Sequence, residues 1–437
     1  VCTETFYYSS SSLKTTQMQF LNNSWRINAY RFNGRMALID ETGSTYTFGD
    51  LANFLDRLPT ANAPVIAETE IGLDFILATL TAWRDGQALV PVDSVAPDDA
   101  LLENLPDGVA HVKITSGSTG APRLVLFTAE QLAADADNIV ATMGLRPDWP
   151  NIGVISMAHS YGFSNLVLPL LLHGIPLVLA KDALPNSVER ALNRTKNGAT
   201  LPAVPAMWRS WHRAGILDGE KIRLAISAGA PLTPELETAV FDDTGIKIHN
   251  FLGSSECGGI AYDRCTKVRT DGRTAGAAMK NVTIGISADG CLEVRGKAVG
   301  MGYWPDAEIG LLNGVFTTQD LASIADSGHV ILEGRAGDLI NVAGRKVSPA
   351  AIEAAIIEGG ATELCVVFGV PSADPERVQD VIALLKNCRD LAALKKEVAR
   401  RLPSWQVPRQ WIMEPALAVD RRGKLSRLLW KEHFMRT

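Results

Sequence analysis

The sequence predicts an α/β protein: a large N-terminal domain of layered α/β sub-domains plus a small β-barrel-like sub-domain, followed by a small α+β C-terminal domain. Short apolar runs alternate with helix-length patterns over most of the 437 residues, the pattern of mostly parallel sheets covered by helices. Between 276 and 332 the pattern changes to short runs broken by glycines, as in a small barrel or an antiparallel meander. A Glu-Gly-Arg-Ala-Gly-Asp break at 333–338 then precedes a unit of roughly 100 residues, an ordinary size for a small domain.

The elements read in order as follows. A strand over 63–67, a helix over 72–84 and a strand over 88–92 form the first alternating set. A strand is expected within 151–157. The longest apolar run, 166–180, contains Pro169, His173, Gly174 and Pro176 and is too short to cross a bilayer as one helix. It reads as a buried helix followed by the strand Leu177-Val178-Leu179. A helix beginning at Ser187 and a strand Leu224-Ala225-Ile226-Ser227 continue the alternation. The glycine-broken region supplies Thr283-Ile284-Gly285-Ile286 and Cys291-Leu292-Glu293-Val294. The last unit reads as a short strand pair, a helix over 349–358, strands over 364–370 and 378–385, and a helix over 391–402. The serine tract at 9–12 is the low-complexity stretch and is expected to be mobile. Trp208 and Trp211 read as packing residues rather than cofactor contacts.

Hydrophobic residues make up 46% of the chain and charged residues 21%, which is ample apolar surface for a folded core and excludes disorder as the dominant state. A net charge of −6 gives no electrostatic footprint for nucleic acid. Cys2, Cys257, Cys265, Cys291, Cys365 and Cys388 form no C-x-x-C pair and no zinc spacing, which fits free thiols in a reducing compartment. The start Val1-Cys2-Thr3-Glu4 has neither a basic nor an apolar leader region, so a cytoplasmic location is expected.

The sharpest local feature is Ile114-Thr115-Ser116-Gly117-Ser118-Thr119-Gly120-Ala121-Pro122-Arg123. Glycines and hydroxyl residues in this density make a flexible loop with converging N–H and O–H donors, suited to a polyphosphate, and Arg123 adds positive charge. It is not a Walker A loop, because Ala121-Pro122 follow Gly120 where Lys-Ser/Thr is required. On composition alone, a solvated Ser/Gly linker fits the stretch equally well.

Other segments, in order, choose between these readings. Thr45-Tyr46-Thr47-Phe48-Gly49-Asp50-Leu51, Met157-Ala158-His159-Ser160-Tyr161-Gly162-Phe163, Ser227-Ala228-Gly229-Ala230-Pro231-Leu232 and Leu252-Gly253-Ser254-Ser255-Glu256 precede Thr317-Thr318-Gln319-Asp320. Gly334-Arg335, Gly344-Arg345-Lys346-Val347-Ser348-Pro349 and Arg422-Gly423-Lys424-Leu425-Ser426-Arg427 follow. With the hydroxyl-rich loop, this series resembles the adenylate-forming superfamily, which holds acyl- and aryl-CoA synthetases, peptide-synthetase adenylation domains and luciferases. The resemblance covers about Tyr46 to Leu429.

The resemblance implies ATP-dependent activation of a carboxylic acid as acyl-AMP with loss of pyrophosphate, then transfer to a thiol. Attack of a carboxylate on a phosphate joins two anions, so catalysis is mostly positioning and charge neutralisation. By resemblance, Thr115, Ser116, Gly117, Ser118, Thr119, Gly120 and Arg123 hold the phosphates. Ser227, Gly229, Ala230, Pro231, Asn250, Leu252 and Gly253 form the nucleotide site, and Ser255 donates to the α-phosphate. Glu256 helps hold Mg2+, a hard cation that prefers oxygen. Asp320 takes the ribose hydroxyls, Arg335 supports the ribose, and Lys424 bridges the carboxylate and the α-phosphate as a mobile point charge. His159 lies at the carboxylate end of the acyl pocket. Without the resemblance, Glu256 reads as a surface carboxylate, Lys424 as a solvated basic turn and His159 as an ordinary hydrogen-bonded histidine.

The resemblance also divides the chain into an adenylating domain over 1–334, a hinge over 335–338 and a mobile C-terminal domain over 339–437 carrying Lys424. Four positions depart from the family pattern: Arg123 replaces a lysine, Leu252 an aromatic, Gln319 a glycine, and Gly337 the usual acidic or basic hinge residue. The acid-site segment Met157 to Ser164 carries no carboxylate to meet an amino group, so an α-amino acid is not the expected substrate. A neutral pocket of Tyr161, Phe163, Asn165, Val204, Pro205, Ser227, Ala228 and Gly229 suits an aryl or fatty acid. Coenzyme A is the expected acceptor, with a separate phosphopantetheinyl carrier protein as the alternative. A non-catalytic nucleotide-binding homologue is the reading from a different class.

Overall fold

The alternation of apolar runs and helical patterns becomes an alternation of strands and helices. The computed structural model describes residues 10–69, 71–92, 97–116, 122–306, 310–362, 364–419 and 425–436. Its internal contacts divide the chain into two units. The first runs up to Ile284 and takes in Glu293–Thr317; the second holds Gly285–Leu292 and the chain from Thr318 onward.

The first unit begins with a helix, Ser10–Arg31, followed by β1 (Met36–Ile39) and β2 (Thr45–Thr47). The serine tract expected to be mobile therefore contributes, from Ser10, the first turn of a helix. Thr47 and Asp50 form a capping box that starts the helix Phe48–Arg57: Thr47 Oγ accepts from the Asp50 amide, and the Asp50 carboxylate accepts from the Thr47 amide at 2.8 Å. Next come β3 (Val65–Ala67), the helix Leu73–Asp85, β4 (Leu89–Pro91), β5 (His111–Ser116) and β6 (Pro122–Phe127). A second capping box, Thr128 with Gln131, opens the helix Ala129–Met143, which Gly144 ends in the left-handed conformation.

Beyond it lie β7 (Asn151–Gly153), β8 (Leu177–Leu179), β9 (Ala199–Ala203), β10 (Ile222–Ser227), β11 (Ile248–Ser254), β12 (Gly258–Tyr262) and β13 (Thr274–Ala278). The strand expected within 151–157 stops at Gly153, because the chain must turn to feed the helical segment that starts at Ser160. That segment passes through a π turn at Phe163–Val167 into Leu168–His173, and β8 follows as expected.

Strands β8, β7, β9, β10 and β11 lie in parallel order, with β1 parallel to β8 at one side and β12 antiparallel to β11 at the other. A second sheet pairs β3, β4 and β5 in parallel and β5 with β6 antiparallel. The glycine-broken stretch supplies β14 (Thr283–Ile286), β15 (Cys291–Arg295), β16 (Gly302–Trp304), β17 (Leu311–Leu312), β18 (Val315–Ile324) and β19 (His329–Arg335). β17 to β19 are an antiparallel meander, and β16 adds to the edge of the second sheet beside β6.

The second unit continues with β20 (Ile340–Val342) and β21 (Arg345–Val347), the helix Pro349–Glu358, then β22 (Leu364–Pro371), β23 (Gln379–Lys386), the helix Leu391–Arg401, β24 (Gln410–Met413) and the helix Arg427–Arg436. Period-two alternation divides the sheet β22–β23–β24 between two cores. Cys365, Val367, Val381 and Ala383 face Ile352, Ile356, Leu394 and Val398. Val366, Phe368, Ile382 and Leu384 face Trp430 and Phe434 on the other side. No described helix is long and apolar enough to cross a membrane.

Candidate active site

The two strands that bracket the hydroxyl-rich loop form an antiparallel pair in which Thr115 opposes Arg123 and Ser116 opposes Pro122. Gly117, Ser118, Thr119, Gly120 and the side chain of Ser116 lie outside the described residues. At the base of the hairpin, Thr115 Oγ donates to the Arg123 carbonyl at 3.4 Å. The Arg123 guanidinium lies over the ring of Tyr303, 5.2 Å from its centroid. The Tyr303 hydroxyl donates to Glu256 Oε1 at 3.0 Å, and the Gly300 amide donates to the Glu256 carbonyl at 2.8 Å. A cation from β6 and a carboxylate from the turn between β11 and β12 thus meet on an aromatic side chain of β16.

Glu256 sits in the three-residue turn Ser255, Glu256, Cys257. Its amide donates to Ser254 Oγ at 3.2 Å. Gly258 closes the turn at φ +68°, and a Cβ there would lie 2.1 Å from Asp135 Oδ1. Asp135, from the helix Ala129–Met143, is buried; it accepts from the Gly259 amide at 3.1 Å and from Ser164 Oγ at 2.6 Å. Burial pushes the Cys257 thiol up to about 12, against the opposing pull of its hydrogen bond with Ser254. That thiol is therefore protonated and inert at neutral pH.

Ser160 Oγ donates to Ser255 Oγ at 2.9 Å, joining the acid-site segment to this turn. His159 is the N-cap of that segment, one residue before Ser160. Tyr161 reaches the ends of two strands, its hydroxyl 3.5 Å from the Ala203 carbonyl and 3.4 Å from that of Ile226. Burial raises its phenol well above the ordinary value. Gly229, at φ +83°, faces Val204, whose Cγ1 would lie 3.5 Å from a Cβ.

Two further residues of the expected acyl pocket are buried. Phe163 is fully buried and stacks on His111 with ring centroids 4.0 Å apart. Asn165 is buried and donates to the Tyr161 carbonyl at 3.1 Å. Both lie in the π turn Phe163–Val167, all five residues of which are buried.

The residues expected on the nucleotide side gather at the carboxyl ends of parallel strands, where α/β sheets bind ligands. Ser227, at the end of β10, is the register partner of Asn250 on β11, and the turn Gly229-Ala230-Pro231 follows directly. The Ser227 side chain is wholly buried, and Asn250 Nδ2 donates to the Thr274 carbonyl at 3.2 Å. Leu252 and Gly253 continue β11 toward Glu256. Trp208 and Trp211 are fully buried with rings 5.4 Å apart, as packing residues should be.

In the second unit Asp320 and Arg335 are register partners on β18 and β19, joined by a 3.1 Å ion pair from Arg335 Nε. Both are substantially exposed, so the pair adds little stability and is accessible to a ligand. Lys424 lies outside the described residues. Arg427 of the same motif bonds the Asp338 carboxylate, grips Glu353 at 2.8 and 2.9 Å and donates to the Val367 carbonyl at 2.8 Å. Burial raises the Glu353 carboxyl, opposed by the Arg427 charge.

Tyr303, Asp135 and Lys113 escape the sequence reading. Lys113 is buried, with its ammonium 4.3 Å from the Phe127 ring centroid and no hydrogen-bond partner among the described residues. Burial lowers its pKa, opposed by Asp135, Cys257 and Glu256. Among the described residues no three His, Cys, Asp or Glu side chains could together hold a metal. One carboxylate beside the base of the hydroxyl-rich hairpin fits Mg2+, which takes few protein ligands and completes its shell with other oxygen donors such as phosphate and water.

Comparison with known proteins is consistent with this arrangement. A family described as AMP-binding enzyme matches residues 78–304. A probable 2-succinylbenzoate–CoA ligase of Mycobacterium tuberculosis is 29% identical over 345 residues, covering 74% of this chain and 84% of the relative. A feruloyl-CoA synthase of an Amycolatopsis species is 26% identical over 377 residues, covering 79% and 75%. In fold, the chain is similar to the o-succinylbenzoate CoA synthetase of Bacillus subtilis solved with its acyl-adenylate intermediate, at a TM-score of 0.81 and 20% identity over 94% of this chain and 98% of that one.

Proposed function

The chain belongs to the AMP-binding enzymes of the adenylate-forming superfamily, and on that premise we propose that it activates a carboxylic acid with ATP and passes the acyl group to coenzyme A. The observation that carries this reading is the meeting of Arg123 and Glu256 on Tyr303, beside the hairpin ends that bracket the hydroxyl-rich loop.

In the first half-reaction a carboxylate oxygen attacks the α-phosphorus, the bond from that phosphorus to the bridging oxygen breaks, and pyrophosphate leaves. Arg123 and the loop hold the departing phosphates, and Ser255, fixed by Ser160, offers its hydroxyl to the α-phosphate. Glu256, oriented by Tyr303, is the protein ligand for Mg2+, which when bound supplies positive charge against the gathered phosphates. Asn250 and the turn after β10 take the base, while Asp320 and Arg335 take the ribose. Lys424 bridges carboxylate and α-phosphate. In the second half-reaction the thiol sulfur attacks the acyl carbon, AMP leaves, and the thiol proton passes to solvent. Residues 335–338 are the hinge between an adenylating domain over 1–334 and a C-terminal domain over 339–437.

The acid is aryl or fatty rather than an α-amino acid. Tyr161, Val204 and Gly229 offer a neutral surface, and relatives named for 2-succinylbenzoate and ferulate favour the aryl class. Carboxylate-dependent ATP–pyrophosphate exchange with Mg2+, run across aryl, short-chain and long-chain acids, tests the proposal. Exchange with one class identifies the substrate, after which coenzyme A and a carrier protein are compared as acceptors. Nucleotide binding with no exchange for any acid would support a non-catalytic homologue instead.

A further inference from the structure

We propose that Arg269 is a positioning residue that sets the purine selectivity of the nucleotide crevice, an inference that rests on the adenylation reading. Arg269 is buried and its guanidinium is spent on four acceptors, the weakest of them the Gly272 carbonyl, 3.4 Å from Nη1. Nε donates to Glu237 Oε2 at 2.8 Å, Nη2 to the Leu232 carbonyl at 2.8 Å, and Nη1 to the Thr274 carbonyl at 2.7 Å. Glu237 has no solvent exposure, and its other oxygen accepts from the Arg269 amide at 3.0 Å and from Lys247 at 2.7 Å. The fork is therefore anchored from behind by a buried carboxylate, a geometry that lysine cannot reproduce.

What the fork holds are two segments, the turn after β10 and the start of β13. Leu232 ends the turn Gly229-Ala230-Pro231 that leaves β10, so its carbonyl fixes where that turn lies. Thr274 accepts from Arg269 and from Asn250 Nδ2 on the same carbonyl oxygen. A carbonyl accepts and never donates, so this contact decides which way the Asn250 amide faces. The nitrogen is held on Thr274, and Oδ1 is left as an acceptor at a half-buried position beside the end of β10.

A fixed acceptor suits the 6-amino group of adenine, a donor, and opposes the 6-oxo group of hypoxanthine or guanine. An amide free to flip would offer its NH2 to the oxo purine and lose the distinction. Arg269 thus acts on selectivity without touching nucleotide.

Calorimetric binding of ATP and of ITP with Mg2+ tests this without knowledge of the acid. Wild-type protein is expected to prefer ATP. Arg269→Lys should weaken ATP binding and narrow the ATP/ITP ratio, each by roughly tenfold, the worth of one well-placed hydrogen bond. The double variant Glu237→Gln with Arg269→Met removes the charges together and should narrow the ratio equally. Glu237→Asp, which shortens the anchor behind the fork and keeps both charges, takes their place if neither of those folds. A folded variant that keeps the wild-type ratio overturns the inference. Wild-type binding of ATP and ITP with equal affinity overturns it while leaving adenylation intact, and no ATP binding at all overturns both.

Discussion

Glu256 meets Arg123 through Tyr303, whose hydroxyl donates to one carboxylate oxygen while its ring carries the guanidinium. The two functions of this side chain separate by mutation. Tyr303→Phe keeps the ring and loses the hydroxyl, so Glu256 should lose its orientation more than Arg123. The expected result is a rise of about threefold to tenfold in the Mg2+ concentration for half-maximal pyrophosphate exchange, with a smaller fall in kcat. Glu256→Gln removes the proposed carboxylate ligand of Mg2+ and should lower kcat by about a hundredfold or more. Equal effects of the two variants would mean that Tyr303 supports the fold and not the metal. His111 makes a different residue-scale prediction. It is buried against Phe163 beside Lys113, and burial first, then that ammonium, hold its imidazole well below 6.5. As pH falls below 6.5 the unfolded chain takes up a proton that the folded chain refuses, so stability is lost on acidification. Above 6.5 both states are neutral and there is no effect. His111→Phe keeps an aromatic stack without the titration, so thermal melting between pH 6.5 and 5 should fall less steeply for the variant than for wild type.

The turn between β11 and β12 is the element on which the proposed chemistry depends, and its backbone leaves little room for change. Gly258 combines a left-handed φ with a Cβ direction blocked by the carboxylate of Asp135. Gly258→Ala should therefore cost about 2 kcal/mol or more, measured by denaturant unfolding, and should lower exchange activity by displacing Glu256. Ordinary destabilisation with unchanged activity would detach the turn from catalysis. Gly253, Gly258 and Gly259 stand close to Glu256 in the sequence, but nothing local marks the partner that Gly258 and Gly259 approach, because Asp135 lies in a helix more than a hundred residues earlier. Elements whose code is local were legible: the helix Pro349–Glu358, β14 and the strand Leu177-Val178-Leu179 fall where the pattern placed them. The π turn was not, since an apolar run carries no mark of one extra residue per turn; Phe163 and Asn165, expected in the acyl pocket, lie buried within it. Arg269 sits among Lys267, Asp271 and Arg273, which reads as a solvated charged loop until the fold buries it against Glu237.

At the scale of the whole molecule, the two proposed half-reactions would use different residues around the α-phosphate, and the proposed hinge is where that freedom should reside. Gly337 lies in the short turn Ala336–Asp338 between β19 and β20. A Cβ at Gly337 would meet Gln319 Oε1 only at 4.0 Å, so the space about it is open. The next residue is the opposite case. Asp338 is tied to Arg427, which also holds Glu353 and the Val367 carbonyl and so binds the helix Pro349–Glu358, β22 and the start of the last helix into one block. Asp338 is thus fastened to that block through its side chain, which leaves Gly337, just before it, as the proposed pivot. Alanine at 337 should be tolerated, with both half-reactions within about twofold of wild type, because neither space nor a left-handed φ forbids it. Proline fixes its own φ and biases Ala336 toward extended backbone, so Gly337→Pro should hold the hinge in a narrow range. Pyrophosphate exchange and single-turnover thioester formation, measured on the same preparation, read the two steps separately. Thioester formation is expected to fall at least tenfold more than exchange, as a barrier to rotation requires. An equal loss of both would place the defect in the fold and remove Gly337 as the pivot.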